Sequence, residues 1–112
     1  MALNLTFYEN RDDNRALQLN EDGANLTVGA YQDFTKIILE CRTAGIIIAL
    51  DSTIANHKIL IDAANQQLIL ELGLVTDLPV GFYSCRVIGI TAADPSGVVY
   101  ADHTDFTITK LP

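Results

Sequence analysis

The sequence predicts an all-β chain of about eight or nine short strands in antiparallel pairing: a sheet folded on another sheet, that is an antiparallel β-sandwich, or a barrel. Two patterns carry that prediction. Apolar side chains alternate with a period of two along several short runs, the mark of a strand with one face on a core. Turn-forming residues recur about every ten residues, and no stretch holds a helical period over roughly 12 residues. The chain is organised around Leu78–Ile90. Pro79 and Gly81 punctuate its start, after which Tyr83, Cys85 and Val87 face one way and Ser84 and Arg86 the other.

Taken in order, Leu3–Tyr8 alternates and reads as a first strand, with Leu3, Leu5 and Phe7 sharing a face. Glu9–Asn14 is a polar loop rich in turn formers. Arg15–Leu19 resumes the alternation, and Asp22-Gly23 is a strong turn dipeptide. Leu26 and Val28 suggest a short edge segment before Gly29. Phe34–Cys41 is a strand with Thr35, Ile37, Leu39 and Cys41 on one face. Lys36 and Glu40 lie on the other.

Arg42–Gly45 turns the chain. Ile46–Leu50 is a continuous apolar run, expected to be a central strand or one covered on both sides. Asp51–His57 reads as a loop or helical turn, Lys58–Asp62 as a short strand and Ala63–Asn65 as a turn. Gln67–Leu72 is a strand with Leu68, Leu70 and Leu72 together. Ala92–Gly97 is a turn with proline and glycine well placed. Val98–Ala101 and Asp105–Lys110 close the chain as two strands or one interrupted strand.

With 112 residues, a single domain spanning 1–112 is expected. Such a chain can bury roughly two-thirds of its unfolded surface around one core. Hydrophobic residues make up 49% and charged residues 19%, which argues against a disordered chain. The net charge is −7, from 14 acidic and 7 basic residues. Phosphate backbones and anionic membrane surfaces need clustered Lys and Arg, so neither nucleic acid nor a membrane is an expected partner. No apolar run reaches the roughly 18 residues of a membrane span, and no basic segment followed by an apolar one opens the chain.

Little in the sequence carries reaction chemistry. His57 and His103, the two histidines, fall in expected loops without a Cys or His at ligand spacing, so no metal site is expected. Asp102, His103 and Asp105 form a small cluster, and Asp12-Asp13 and Glu21-Asp22 are acidic pairs; all read as solvated turns. No Gly-x-Ser-x-Gly, P-loop or Gly-x-Gly-x-x-Gly is present. No catalytic residue, no cofactor-binding residue and no cofactor are therefore predicted, and the chain is expected not to be an enzyme. Asn4-Leu5-Thr6 and Asn25-Leu26-Thr27 fit the N-glycosylation pattern, though Asn4 lies mid-strand. Cys41 and Cys85 sit on expected inward faces of two strands. Buried free thiols, which pack as small hydrophobes, are one reading of them.

Gly81-Phe82-Tyr83-Ser84-Cys85 resembles the start of an immunoglobulin F strand, where a Tyr-x-Cys precedes a bridging cysteine. That resemblance implies an immunoglobulin-like sandwich and a candidate disulfide between Cys41 and Cys85. The tryptophan of immunoglobulin cores is missing, for the chain has none. Taken whole, the chain resembles the immunoglobulin-like N-terminal domain of phage baseplate upper proteins and related tail proteins. The resemblance rests on Leu5-Thr6-Phe7-Tyr8, on Leu17-Gln18-Leu19 leading to Asp22-Gly23, and on Ile59–Asp62 and Leu68–Leu72. Its most specific word is Thr76-Asp77-Leu78-Pro79-Val80-Gly81-Phe82-Tyr83, with Gly97 and a closing Asp105-Phe106-Thr107-Ile108. It departs at Asn25–Gly29, where one residue is inserted.

The resemblance implies a structural or assembly protein of a phage or prophage particle, homo-oligomeric, bound to other virion or particle proteins. It would be located in the virion or the bacterial host cytoplasm, and a free-standing domain would be an accessory, decoration or adaptor subunit. The alternative is a small binding module that recognises a protein or carbohydrate through loops at one end of the sandwich. The expected core is Leu5, Phe7, Ile37, Leu39, Cys41, Ile47, Leu68, Leu70, Tyr83, Cys85, Val87 and Phe106.

Overall fold

A computed structural model describes residues 3–21, 23–76 and 78–110, without the side chains of 3, 4 and 101–103. The chain is all-β and folds as a β-sandwich of two main sheets. The strands are β1 (Leu3–Tyr8), β2 (Arg15–Leu17), β3 (Asn20–Glu21), β4 (Ala24–Asn25), β5 (Phe34–Thr43), β6 (Ile46–Asp51), β7 (Ile59–Asp62), β8 (Gln67–Leu70), β9 (Gly81–Thr91) and β10 (Val98–Thr109). One short helix, α1 (Val28–Gln32), precedes β5.

The larger sheet has the order β1-β10-β9-β5-β6, and the smaller has β2-β8-β7. β9 is the middle strand of the larger sheet, so the alternating stretch after Gly81 is the organising element. Immunoglobulin-like sandwiches set one sheet against another in this way, with the late strands beside the middle ones. Tyr83 supplies a further mark of that architecture. Its hydroxyl donates to the Pro79 carbonyl at 2.6 Å and ties the start of β9 to its approach.

Period-two alternation builds the core. Phe7, Leu17, Ile37, Leu39, Cys41, Leu50, Leu68, Leu70, Tyr83, Cys85, Val87, Phe106 and Ile108 are buried between the sheets. Phe106 stacks on Tyr83, centroid to centroid 4.9 Å, and meets Phe7 edge-on at 5.9 Å. Such ring pairs add about 0.5–1.5 kcal/mol beyond area burial. Leu5 is half-buried and packs against this cluster.

Several expectations are corrected. Ile46–Leu50 is neither central nor covered: β6 is an edge strand, and Ile47 is 59% exposed, outside the core. β1 pairs with β10 in parallel, so the sandwich is not wholly antiparallel. Ten strands are described, because β3 and β4 form a short antiparallel pair, Asn20 opposite Asn25 and Glu21 opposite Ala24. Val28 opens α1 instead of an edge strand. Thr27 caps that helix, its hydroxyl accepting from the Ala30 N–H at 3.2 Å.

At the start of β5 the register shifts between Phe34 and Lys36. This bulge flips the phase, so Phe34 is buried and Thr35 is exposed. The Phe34 ring packs edge-on against Tyr31 and Tyr100. β8 stops at Leu70, and a single 3-10 turn over Leu72–Leu74 follows. β10 is one strand with irregular register between Val99 and Thr104. His103 therefore lies within a strand and not in a loop.

Candidate interaction surface

The outer face of the larger sheet and its β6 edge hold the features with most capacity to act on another molecule. The registers place Arg42, Glu40 and Ile38 of β5 beside Ser84, Arg86 and Ile88 of β9 on that face. Ile47, Ala49 and Asp51 of β6 stand opposite the same three β5 residues. Val99 of β10 stands opposite Ile88. The face thus carries a charged band across its middle and apolar residues on either side. Glu40 pairs with Arg86 at 3.9 Å, and Asp51 with Lys36 at 3.6 Å. Both pairs are partly solvated, so each is worth at most about 1 kcal/mol. Ile47, Phe82 and Val99 are 59%, 54% and 47% exposed.

The edge itself follows from one turn. Ala44 and Gly45 join β5 to β6 with φ of 47° and 79°, the type I′ combination whose twist matches that of the strands. Thr43 and Ile46 flank the turn as partners. In a two-residue hairpin that flanking pair exchanges both backbone hydrogen bonds, and so do alternate pairs beyond it: Cys41 with Ile48, then Leu39 with Leu50. The phase continues where the Ser52 N–H donates to the Ile37 carbonyl at 2.9 Å. The backbone groups of Ile47, Ala49 and Asp51 therefore point away from β5. Those of Asp51 are taken: its N–H donates to His57 Nδ1 at 2.9 Å, and its carbonyl accepts from the Ile54 N–H at 3.0 Å. Among the described residues, nothing hydrogen-bonds the outward N–H and C=O groups of Ile47 and Ala49.

The two cysteines are brought together. Cys41 and Cys85 are direct partners on neighbouring strands of one sheet, both buried, both free thiols. Their placement differs from the immunoglobulin bridge, which spans two facing sheets. A hydrogen bond with Cys41, then burial, push the Cys85 thiol far above the ordinary range. Cys85 is held protonated and both thiols are buried away from solvent, which is poor geometry for a nucleophile or a metal ligand.

The remaining polar candidates are structural or scattered. His57 caps the end of β6. Asp13 accepts the Tyr8 N–H through Oδ2 at 3.1 Å, while Asp12 is exposed. Asp22 and the side chains of Asn4, Asp102 and His103 lie outside the described residues. Among the described residues no group of three or more His, Cys, Asp or Glu is placed to hold a metal ion. No helix among them is long and apolar enough to cross a membrane.

Asn25 of the second glycosylation pattern has its amide engaged. Nδ2 donates to the Gln66 carbonyl at 2.9 Å, and Oδ1 accepts from the Tyr31 hydroxyl at 2.7 Å. That hydroxyl in turn accepts from the Leu19 N–H at 2.8 Å, and Gln66 Nε2 donates to the Leu26 carbonyl at 3.0 Å. This network fastens β3, β4 and α1 onto the smaller sheet. At the other side of α1 an open hollow of about 390 Å³ is lined by Ala30, Asp33, Thr91–Asp94 and Tyr100.

Sequence reasoning missed the network and the edge. The network joins residues distant in the chain, so no local pattern announces it. The edge had a local signal: Asp51 shares a phase with Ala49 and Ile47, and a charged residue marks the solvent side of a strand. Fold and surface together define the class, a β-sandwich with an open apolar strand at one edge of its larger sheet. No family model matches the chain, and neither a curated protein nor a solved structure does.

Proposed function

We propose that the chain is a non-enzymatic structural or assembly protein that works through protein–protein contacts. The observation that carries this reading is the β6 edge: a bare strand of Ile and Ala residues with two outward residues open to hydrogen bonding. Exposed apolar edges promote association, and proteins that stay apart blunt them with Lys, Pro or bulges. Between Gly45 and Leu50 there is none of these. The sequence resemblance to phage baseplate upper proteins supplies the setting, a tail, baseplate or accessory component of a phage or prophage-derived particle. Its partners are copies of itself and other particle proteins, with no role for nucleic acid or membrane.

The test is particle composition. Particles purified after prophage induction contain the chain at a fixed ratio to a major particle protein, and its gene sits among morphogenesis genes. A chain that stays wholly free of particles, with metabolic neighbours, overturns the reading. The hollow beside α1 favours a second reading, a binding module using loops at one end of the sandwich. Saturable binding of a glycan or peptide that Asp94→Ala abolishes would favour it over assembly.

A further inference from the structure

We propose that the edge of β6 pairs with β6 of a second copy, antiparallel, about a two-fold axis at Ile48. This deepens the assembly reading by naming the partner and the register of one contact. The open groups belong to Ile47 and Ala49, which lie symmetrically about Ile48. When Ile47 of one chain stands opposite Ala49 of the other, each such pair exchanges two backbone hydrogen bonds. The two-fold repeats the exchange on the other side of Ile48. Every open group on this stretch then finds a partner, so the edge is complementary to itself, as an isologous contact requires.

The boundaries of the edge fit the same axis. On one side the stretch ends at the Ala44-Gly45 turn. On the other it ends where His57 occupies the position beside Asp51. In the proposed register Asp51 stands opposite Gly45 of the second copy, so the capped end meets the small residue of the turn. Pairing is confined to residues 46–50, and its centre is Ile48.

Charge is complementary too. On the outer face one row across the joined sheets reads Arg42, Ile47, then Ala49 and Glu40 of the second copy. The two-fold generates the same row reversed. Each row ends in opposite charges, and no like charges stand opposite one another across the seam. The edges of the smaller sheet are less suited: β2 carries Arg15, and β7 follows Lys58 and ends in Asp62. A strand pair of this length falls below the roughly 1,200 Å² of stable interfaces. It therefore forms at the high local concentration of an assembly, against the repulsion of −7 per chain, and salt that screens this repulsion strengthens it.

Sedimentation equilibrium of the whole chain up to about 1 mM tests the proposal. The wild type is expected to form dimers. Ile47→Lys places a charge on the edge, and Ala49→Pro removes an outward N–H without breaking the ladder to β5; each weakens dimerisation about ten-fold or more. Leu60→Lys, at an exposed position of the other sheet, leaves it within about two-fold. Circular dichroism and urea midpoints check that each variant is folded. Register is read by mixing Ile47→Cys with Ala49→Cys chains under mild oxidation. The mixture cross-links through 47 and 49, while either alone cross-links about ten-fold less, since like positions lie on a diagonal roughly 7–8 Å apart. A dimer that survives Ile47→Lys, or that cross-links equally in all three samples, overturns the pairing and leaves the assembly reading standing. A wild type monomeric throughout overturns the self-pairing, and particle composition then decides the assembly reading by itself.

Discussion

Removing one oxygen from each of two tyrosines should have very different effects. Tyr31 and Tyr83 are both buried, and both hydroxyls are hydrogen-bonded. The Tyr83 hydroxyl donates to the carbonyl of Pro79, an exposed residue, in a part-buried hydrogen bond. Tyr83→Phe therefore loses one ordinary hydrogen bond, about 1 kcal/mol. The Tyr31 hydroxyl accepts from the Leu19 N–H and donates to Asn25. Leu19 is 1% exposed, so Tyr31→Phe strands a donor that water cannot reach. An orphaned buried group costs about 1–3 kcal/mol, and the lost bond to Asn25 adds about 1 more. The expected loss is about 2–4 kcal/mol. For a domain near this size each kcal/mol lowers Tm by about 4 °C or somewhat more. Urea unfolding followed by circular dichroism gives both values. If Tyr31→Phe costs no more than Tyr83→Phe, the network does not anchor the β3–α1 region and the reasoning fails.

Three further outcomes are expected. Leu70→Ala removes a side chain that is 1% exposed and should cost about 2–5 kcal/mol in the same urea assay; a loss under about 1 kcal/mol would place Leu70 outside the core. Asp51 is held below the ordinary carboxylate range, first by the Thr53 hydroxyl, then by the Thr53 N–H, with Lys36 adding to it. Its folded value is the lower one, so it stabilises above its unfolded value, near pH 4, and that contribution is lost as pH falls through the folded value. Urea midpoints at pH 7 and pH 3 should therefore draw closer together in Asp51→Asn than in wild type; equal acid losses would refute the assignment. Cys41 and Cys85 should resist a thiol reagent in the native chain and react fully once unfolded, since both are buried and Cys85 is held protonated. Rapid labelling of the folded chain would contradict their placement.

Much of the fold could be read from local alternation. In β5 and β9 the side-chain phase repeats over many residues, so Ile37, Leu39, Cys41, Tyr83, Cys85 and Val87 were assigned correctly from sequence. The phase failed where the backbone departs from a regular pleat. Thr35 was expected inside, yet the bulge between Phe34 and Lys36 turns Phe34 inward instead. Gly89 makes room for it, because a Cβ there would run into the Phe34 ring. That close approach joins residues far apart in the chain, and only folding reveals it. α1 was missed for another reason. Five residues cannot display a helical period, and its stability comes from the Thr27 cap and the burial of Tyr31.

The misreading of Ile46–Leu50 is more instructive. A continuous apolar run is what a strand buried on both faces looks like. The sheet order instead leaves β6 at the rim, with the inner phase of Ile48 and Leu50 on the core and the outer phase of Ile47 and Ala49 in solvent. Folding of one chain accounts for Ile48 and Leu50, which pack on the core. It gives no reason for Ile47, where a polar residue would fill the same strand position and keep the edge soluble. The same two outer residues are those whose backbone groups stay open, because the Ala44-Gly45 turn sets their phase and His57 closes the edge just beyond them. An apolar side chain and an open hydrogen-bonding edge at one place are each a liability for an isolated chain, and both are met by one added strand. In the assembled state we propose, the strand is central in a continuous sheet, one of the two arrangements that a continuous apolar run suggests, with its inner face on the core and its hydrogen-bonding edge closed by the second copy.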